Sequence, residues 1–167
     1  MSFVFLAVTL TSCQEGEHAP EPDQDTASQY RAVVEKINEQ TGATQIDVGT
    51  LRGRLDAGQP TVVLDIRERA EHDVAAIRDA RWIAPSEVSG TRLEVPADAF
   101  IIAYCTAGYR SGLAAVKLSK QLGRPVLNLD GGLIAWFNSG GTVIDAQGNP
   151  ASRIHTFSDD WAKYVTR

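Results

Sequence analysis

The chain has 167 residues, is 43% apolar, and carries a formal net charge of -5 with its sixteen Lys and Arg scattered along it. That length and apolar content suit one packed domain with a short extension, and the charge pattern offers no basic surface, so nucleic-acid binding is not expected. The two cysteines, Cys13 and Cys105, lie in segments of different character, which argues against a disulfide framework and asks for a separate account of each. No metal and no cofactor is expected.

Residues 3–10, FVFLAVTL, form an apolar run too short to cross a bilayer but of the length of a signal-peptide core. Leu10, Thr11, Ser12 and Cys13 follow and resemble the lipobox of bacterial lipoproteins, in which cleavage before the cysteine leaves it to carry the acyl chains. The resemblance implies that residues 1–12 are a signal peptide, that Cys13 is the lipidation site, and that the mature protein is periplasmic and anchored by lipid to a bacterial membrane. A buried N-terminal strand ending in a structural cysteine is the alternative. Against it stands QEGEHAPEPDQDTASQ, which is acidic, carries two prolines and lacks apolar periodicity, so residues 13–29 read as a disordered tether.

Residues 30–167 read as the folded domain. Tyr30, Val33, Val34 and Ile37 recur at helical spacing, and Gly42 marks a stop. Asp47 is a candidate cap for a second helix with Val48, Leu51 and Leu55 on one face, ended by Gly58 and Pro60. TVVLDI, residues 61–66, is continuous and β-branched, as a strand buried on both faces requires. RERAEHD is helical in composition, residues 81–84 suggest a weak strand, and residues 99–104 a clear one. A helix is expected over residues 111–122, with Ala114, Leu118 and Leu122 inward and Gly123 as its stop. PVLNL reads as a strand, DGG as a turn, and LIAWFNSGG as a helix with Leu133, Trp136 and Phe137 at i, i+3 and i+4. The tail closes with a helix capped by Ser158, burying Trp161, Tyr164 and Val165. Strands alternating with helices predict an α/β fold with parallel pairing.

Cys105 falls where a buried strand meets a helix, which is where parallel α/β sheets gather ligands. Unpaired N–H groups at the helix start favour thiolate over thiol. Ala107 and Gly108 allow the backbone to curl into an anion-binding nest, and Arg110 adds a permanent charge. A small buried core cysteine is the plainer reading of such a position, but core filling does not call for Gly, Arg and Ser in that order.

VVLDIRERAEH, CTAGYRSGLAAVKLSKQLG and VLNLDGGLIAW resemble the three signatures of rhodanese-domain sulfurtransferases, over roughly residues 45–141. The resemblance implies a rhodanese-like, five-stranded parallel sheet with helices on both faces, and a sulfurtransferase. In that chemistry Cys105 is the nucleophile that accepts a sulfane sulfur from thiosulfate or a persulfide and passes it to cyanide or a thiol. Thr106, Ala107, Gly108, Tyr109, Arg110 and Ser111 would cradle the persulfide, with Ser111 also starting the supporting helix. Asp65 and Arg67 would buttress neighbouring loops, although Arg67 also reads as an exposed helix-capping residue. Asp130 reads as a turn residue.

Two departures stand out. AAIRDARWI places Ala75 and Ala76 where the family commonly has Gly-His, which alters the pocket rim; His72 nearby reads as a solvated helix residue. Beyond Gly141 the chain continues into an extension in which Trp161 and Tyr164 read as core and His155 as a surface or packing residue. The rival enzyme is a phosphatase of the same fold, but those need five residues between Cys and Arg to ring a phosphate, and this chain has four. A noncatalytic rhodanese-like module that binds an envelope protein is the alternative outside enzymology.

Overall fold

The structure, a computed structural model, describes residues 24–167. The expected signal segment, Cys13 and the tether up to residue 23 lie outside the described residues. The first helix, α1 (Gln24–Thr41), begins inside the segment expected as tether, so residues 24–29 are helical. Asp25 stands in the first turn, where a carboxylate suits the positive end of the helix dipole, and accepts from Gln29 Nε2 one turn later at 2.8 Å.

After α1 come β1 (Gln45–Ile46), α2 (Val48–Asp56), β2 (Thr61–Asp65), α3 (Arg69–Val74), β3 (Ala76–Ile77), β4 (Arg81–Trp82), β5 (Phe100–Tyr104), α4 (Tyr109–Leu122), β6 (Val126–Leu129), α5 (Gly132–Asn138), β7 (Val143–Ile144) and α6 (Asp159–Ala162). Five strands form one parallel sheet in the order β1-β6-β5-β2-β4. The expected α/β architecture is therefore present. Two pairings carry no local signature: β1, which is only two residues long, and the antiparallel pair β3–β7, which ties the altered Ala75-Ala76 segment to the start of the extension.

The continuous apolar strands supply both faces of the sheet by simple alternation. Val63, Ile102 and Tyr104 point into one core layer with Leu51, Leu133, Trp136 and Phe137, whereas Val62, Leu64, Ile101 and Ala103 point into the other with Ala114, Ala115 and Leu118. A third cluster packs Tyr30, Val34 and Ile37 of α1 against Ala107, Ile134 and Tyr164. Burying such side chains stabilises the fold by about 1.5–3 kcal/mol each, which is why α1 docks onto the domain. Asp47 caps α2, accepting from Thr50 N at 2.8 Å. Ser158 stands at the N-cap of α6 without a side-chain cap bond, and that helix is a single turn, so the tail is held by Tyr164 and its neighbours rather than by helix length. Among the described residues no helix is long and apolar enough to cross a membrane.

Candidate active site

Cys105 follows β5 directly and is only 2% exposed. The loop after it is turned by two contacts with α5: Leu133 N donates to Cys105 O at 2.8 Å and Ile134 N donates to Thr106 O at 3.1 Å. With those carbonyls occupied, the chain curls so that Gly108 N donates to Cys105 Sγ at 3.2 Å. Gly108 has φ 105°, a backbone region closed to most L-residues, and so only glycine permits that curl without strain. The approach of α5 is equally demanding. A Cβ on Gly132 would stand 2.4 Å from Cys105 O, and its φ is 55°.

The far end of the loop is pinned to β6. Asn128, fully buried, accepts from Ser111 Oγ at 2.6 Å and donates through Nδ2 to Gly108 O at 3.1 Å and to Gln45 Oε1 at 2.9 Å. A polar residue in the middle of the apolar VLNL run was the sequence signal for this anchor. Ser111, expected in the sulfur cradle, thus turns its hydroxyl into the protein and holds the loop from behind. The helix also starts earlier than expected, at Tyr109, so Tyr109 and Arg110 belong to its first turn.

Arg110 does not stand free beside the sulfur. Its guanidinium donates from Nη1 to Glu71 Oε2 at 2.6 Å and from Nη2 to Glu71 Oε1 at 2.8 Å, and Nη2 also reaches Thr106 Oγ1 at 3.0 Å. Thr106 Oγ1 in turn donates to Glu71 Oε1 at 2.9 Å. Burial alone would raise the Glu71 pKa; the bonds and charge of Arg110, with the Thr106 hydroxyl, override it and hold the carboxyl below its ordinary value. Burial likewise acts to lower the Arg110 pKa, but the Glu71 bonds and the proximity of Cys105 win, and it is raised. Glu71 is a site residue that sequence reasoning passed over; it sits two residues beyond the start of α3, inside the first signature.

Asp65 and Arg67 form a fully buried ion pair, with Nη2 to Oδ2 at 2.5 Å and Nε to Oδ1 at 2.8 Å. This settles the two readings of Arg67, which is not an exposed cap. Its guanidinium also donates to Ala75 O at 2.8 Å and Glu71 O at 3.3 Å, so it holds α3 and the altered Ala75-Ala76 segment around one cation. Asp65 Oδ2 further accepts from Tyr104 OH at 2.7 Å and lies 2.9 Å from His72 Nδ1. His72, expected as a solvated helix residue, is partly buried on that carboxylate. Burial opposes ionisation of Asp65, yet the Arg67, His72 and Tyr104 contacts keep its pKa lowered. Asp130 is a turn residue that also joins α1 to the turn before α5, accepting from Arg31 Nη1 at 2.7 Å and from Asn38 Nδ2 at 2.8 Å.

Cys105 lies at the floor of a cavity of about 520 Å³. One side is the loop itself; α1 supplies Val33, Lys36, Ile37 and Gln40, and the C-terminal extension supplies Phe157 and Trp161. Trp161, expected in the core, is partly buried against the third cluster and also lines the cavity, while Tyr164 is buried as expected. His155 is partly buried, its Nδ1 accepting from Phe157 N at 2.9 Å. Among the described residues no three of His, Cys, Asp and Glu come together as a metal-binding set.

Residues 47–139 match the rhodanese-like domain family. A sulfurtransferase of Allochromatium vinosum is 34% identical over 104 residues, covering 62% of this chain and 97% of the relative. A rhodanese-related protein from Thermoplasma volcanium superposes with a TM-score of 0.53 at 27% identity, covering 60% of this chain and 97% of that one. A thiosulfate sulfurtransferase from Pseudomonas aeruginosa shares the fold with a TM-score of 0.58 at 22% identity, covering 81% of this chain and 26% of that one. The strand-to-helix loop around Cys105, the buried Asp65–Arg67 pair and these likenesses agree: the chain belongs to the rhodanese-like domain family.

Proposed function

We propose that the protein is a sulfurtransferase that carries a sulfane sulfur as a persulfide on Cys105. The observation that carries this reading is the loop geometry: Gly108 N donates to Sγ at 3.2 Å while the carbonyls of Cys105 and Thr106 are occupied by α5. Preorganised N–H groups around a sulfur stabilise negative charge on it, and on a terminal sulfur attached to it, without rearrangement during the reaction. The Cys105 thiolate attacks the outer sulfur of the donor, and the S–S bond of the donor breaks, releasing sulfite from thiosulfate or a thiolate from a persulfide. Cyanide or a thiolate then attacks the terminal sulfur of the Cys105 persulfide, leaving as thiocyanate or a new persulfide and restoring the thiolate. Glu71 and Asp65–Arg67 are positioning groups: Glu71 ties Arg110 and Thr106 to α3, and Arg67 ties α3 to β2.

The test is intact mass after incubation with excess sulfane donor. One sulfur added to the wild type and none to Cys105→Ser supports the reading, because the hydroxyl cannot carry a sulfane sulfur. A protein that never takes up sulfur but hydrolyses an aryl phosphate is a phosphatase instead, and a Cys105→Ser variant with full biological activity marks a binding module.

The reading includes location. The apolar run at residues 3–10 followed by Leu10-Thr11-Ser12-Cys13 supports export and lipid anchoring through Cys13, which would present the Cys105 site to donors, acceptors or a protein partner in the cell envelope.

A further inference from the structure

The outer wall of the Cys105 cavity comes from segments that lie outside residues 47–139, the stretch shared with the family. Val33 and Ile37 of α1 form one part, and Phe157 and Trp161 of the extension form the other. Phe157 is held in an unusual way. It is a non-glycine residue with φ 69°, a backbone region that bulky side chains rarely adopt unless the surroundings impose it. Its N–H donates to His155 Nδ1 at 2.9 Å, and Thr156 Oγ1 bonds Ser158 O at 3.2 Å, so the turn is fixed on both sides. Phe157 as a whole remains 57% exposed, yet its ring centroid lies 4.7 Å from the Arg110 guanidinium carbon. A strained turn therefore holds an aromatic ring at the mouth of the cavity.

Charge and size point the same way. The cations lining the cavity are Lys36 and Arg110, and the charge of Arg110 is taken up by its bidentate pairing with Glu71 together with the neighbouring Cys105 sulfur. What remains is one positive charge at the rim and an apolar wall, which suits a monoanion with an apolar body better than a small hydrated dianion. A cavity of about 520 Å³ is within the range of sites for organic ligands and far larger than inorganic thiosulfate needs. Cys105 is 2% exposed at the base of the cavity, so the outer sulfur of a donor must enter the cavity to reach it.

We infer that Phe157 and Trp161, with Val33 and Ile37, form a specificity wall that selects an organosulfur donor bearing an apolar body over inorganic thiosulfate. The inference rests on the sulfur-transfer reading of Cys105. For a thiosulfonate donor the thiolate attacks the outer sulfur, the bond from that sulfur to the sulfonyl sulfur breaks with its electron pair, and the organic sulfinate leaves. The negative charge of the donor remains on the terminal sulfur of the Cys105 persulfide.

The experiment measures the rate of single-sulfur uptake by intact mass at low concentrations of benzenethiosulfonate, methanethiosulfonate and thiosulfate, each normalised to its reaction with free cysteine. The two thiosulfonates share the reacting bond and charge and differ in the apolar body. Benzenethiosulfonate is expected to exceed methanethiosulfonate by about tenfold or more in the wild type, since even one methylene in an apolar pocket can discriminate by that factor. Phe157→Ser and Trp161→Ser should each lower that ratio several-fold. A normalised ratio near one in the wild type, a ratio that neither substitution moves, or a normalised thiosulfate rate equal to or above that of benzenethiosulfonate overturns the specificity wall while leaving sulfur transfer standing. No uptake from any of the three overturns the sulfur-transfer reading, and the wall with it.

Discussion

Replacing Glu71 by Ala removes the carboxylate that ties the Cys105 loop to α3. The wild-type carboxylate accepts two bonds from Arg110, one from Thr106 Oγ1 and one from Glu68 N at 3.1 Å. Without it a guanidinium whose side chain is 23% exposed faces the cavity uncompensated, and α3 loses half of its capping box. Breaking a fully buried ion pair from one side costs about 3–5 kcal/mol. Arg110 keeps some contact with solvent, which screens the stranded charge and brings the expectation to about 2–4 kcal/mol. At about 2–4 °C per kcal/mol for a chain of this size, a loss near the middle of that range lowers Tm by about 6–12 °C. The assay is urea denaturation of the wild type, Glu71→Ala, Arg110→Ala and the double variant. Because each single variant strands a buried charge and the double strands none, the double variant should be less destabilised than the sum of the singles by about 1–3 kcal/mol. A Glu71→Ala protein within about 0.5 kcal/mol of wild type, or strict additivity, would refute the role given to this pair.

Acid should weaken the same tie. The folded pKa of Glu71 is depressed, so its stabilisation is complete above the unfolded value of about 4.3 and is lost as pH falls through the folded value; the gap between wild type and Glu71→Gln should therefore shrink below about pH 4, and a gap constant from pH 7 to 3 would count against the argument. Gly132→Ala places a methyl 2.4 Å from Cys105 O at φ 55° and should cost more than about 3 kcal/mol or prevent soluble expression, whereas Gly53→Ala, in α2 with open space around it, should be neutral or stabilising by up to about 1 kcal/mol; equal melting temperatures for the two would refute the close-approach account. Tyr30→Phe loses the bond from the buried hydroxyl to Gly131 O at 2.5 Å and should destabilise the protein by about 1–3 kcal/mol, read from the urea midpoint. Metabolic labelling with a clickable fatty acid should mark the wild type and not Cys13→Ser; full-length protein recovered unlabelled from soluble extract would sink the lipid-anchor reading.

Where a structural statement depends on neighbours in sequence, the chain carried it openly. The β-branched run over residues 61–66, the helical period of Tyr30, Val34 and Ile37, the Asp47 cap and the Gly123 stop follow from backbone sterics and from which face must be dry, and each reappears in the fold. The place of Cys105 between a buried strand and a helix was legible for the same reason, and its motif carried the family. Long-range pairing was not legible. β1 and β7 are two residues long and exist only because β6 and β3 offer them open edges. Glu71 looks in the sequence like an ordinary polar residue of a helix, Asn128 shows only as a polar break in an apolar strand, and Arg67 is marked out by the family resemblance but reads equally as an exposed cap. Only the tertiary structure decides that they are buried, because the cost of removing a charge or amide from water is met by partners that lie up to 83 residues away in the chain. The wall of the cavity is the clearest case: Val33 and Phe157 are remote in sequence from Cys105 and from each other, and nothing local tells a core aromatic from one held over Arg110 at a cavity, since both obey the same hydrophobic pattern until folding sets what stands opposite.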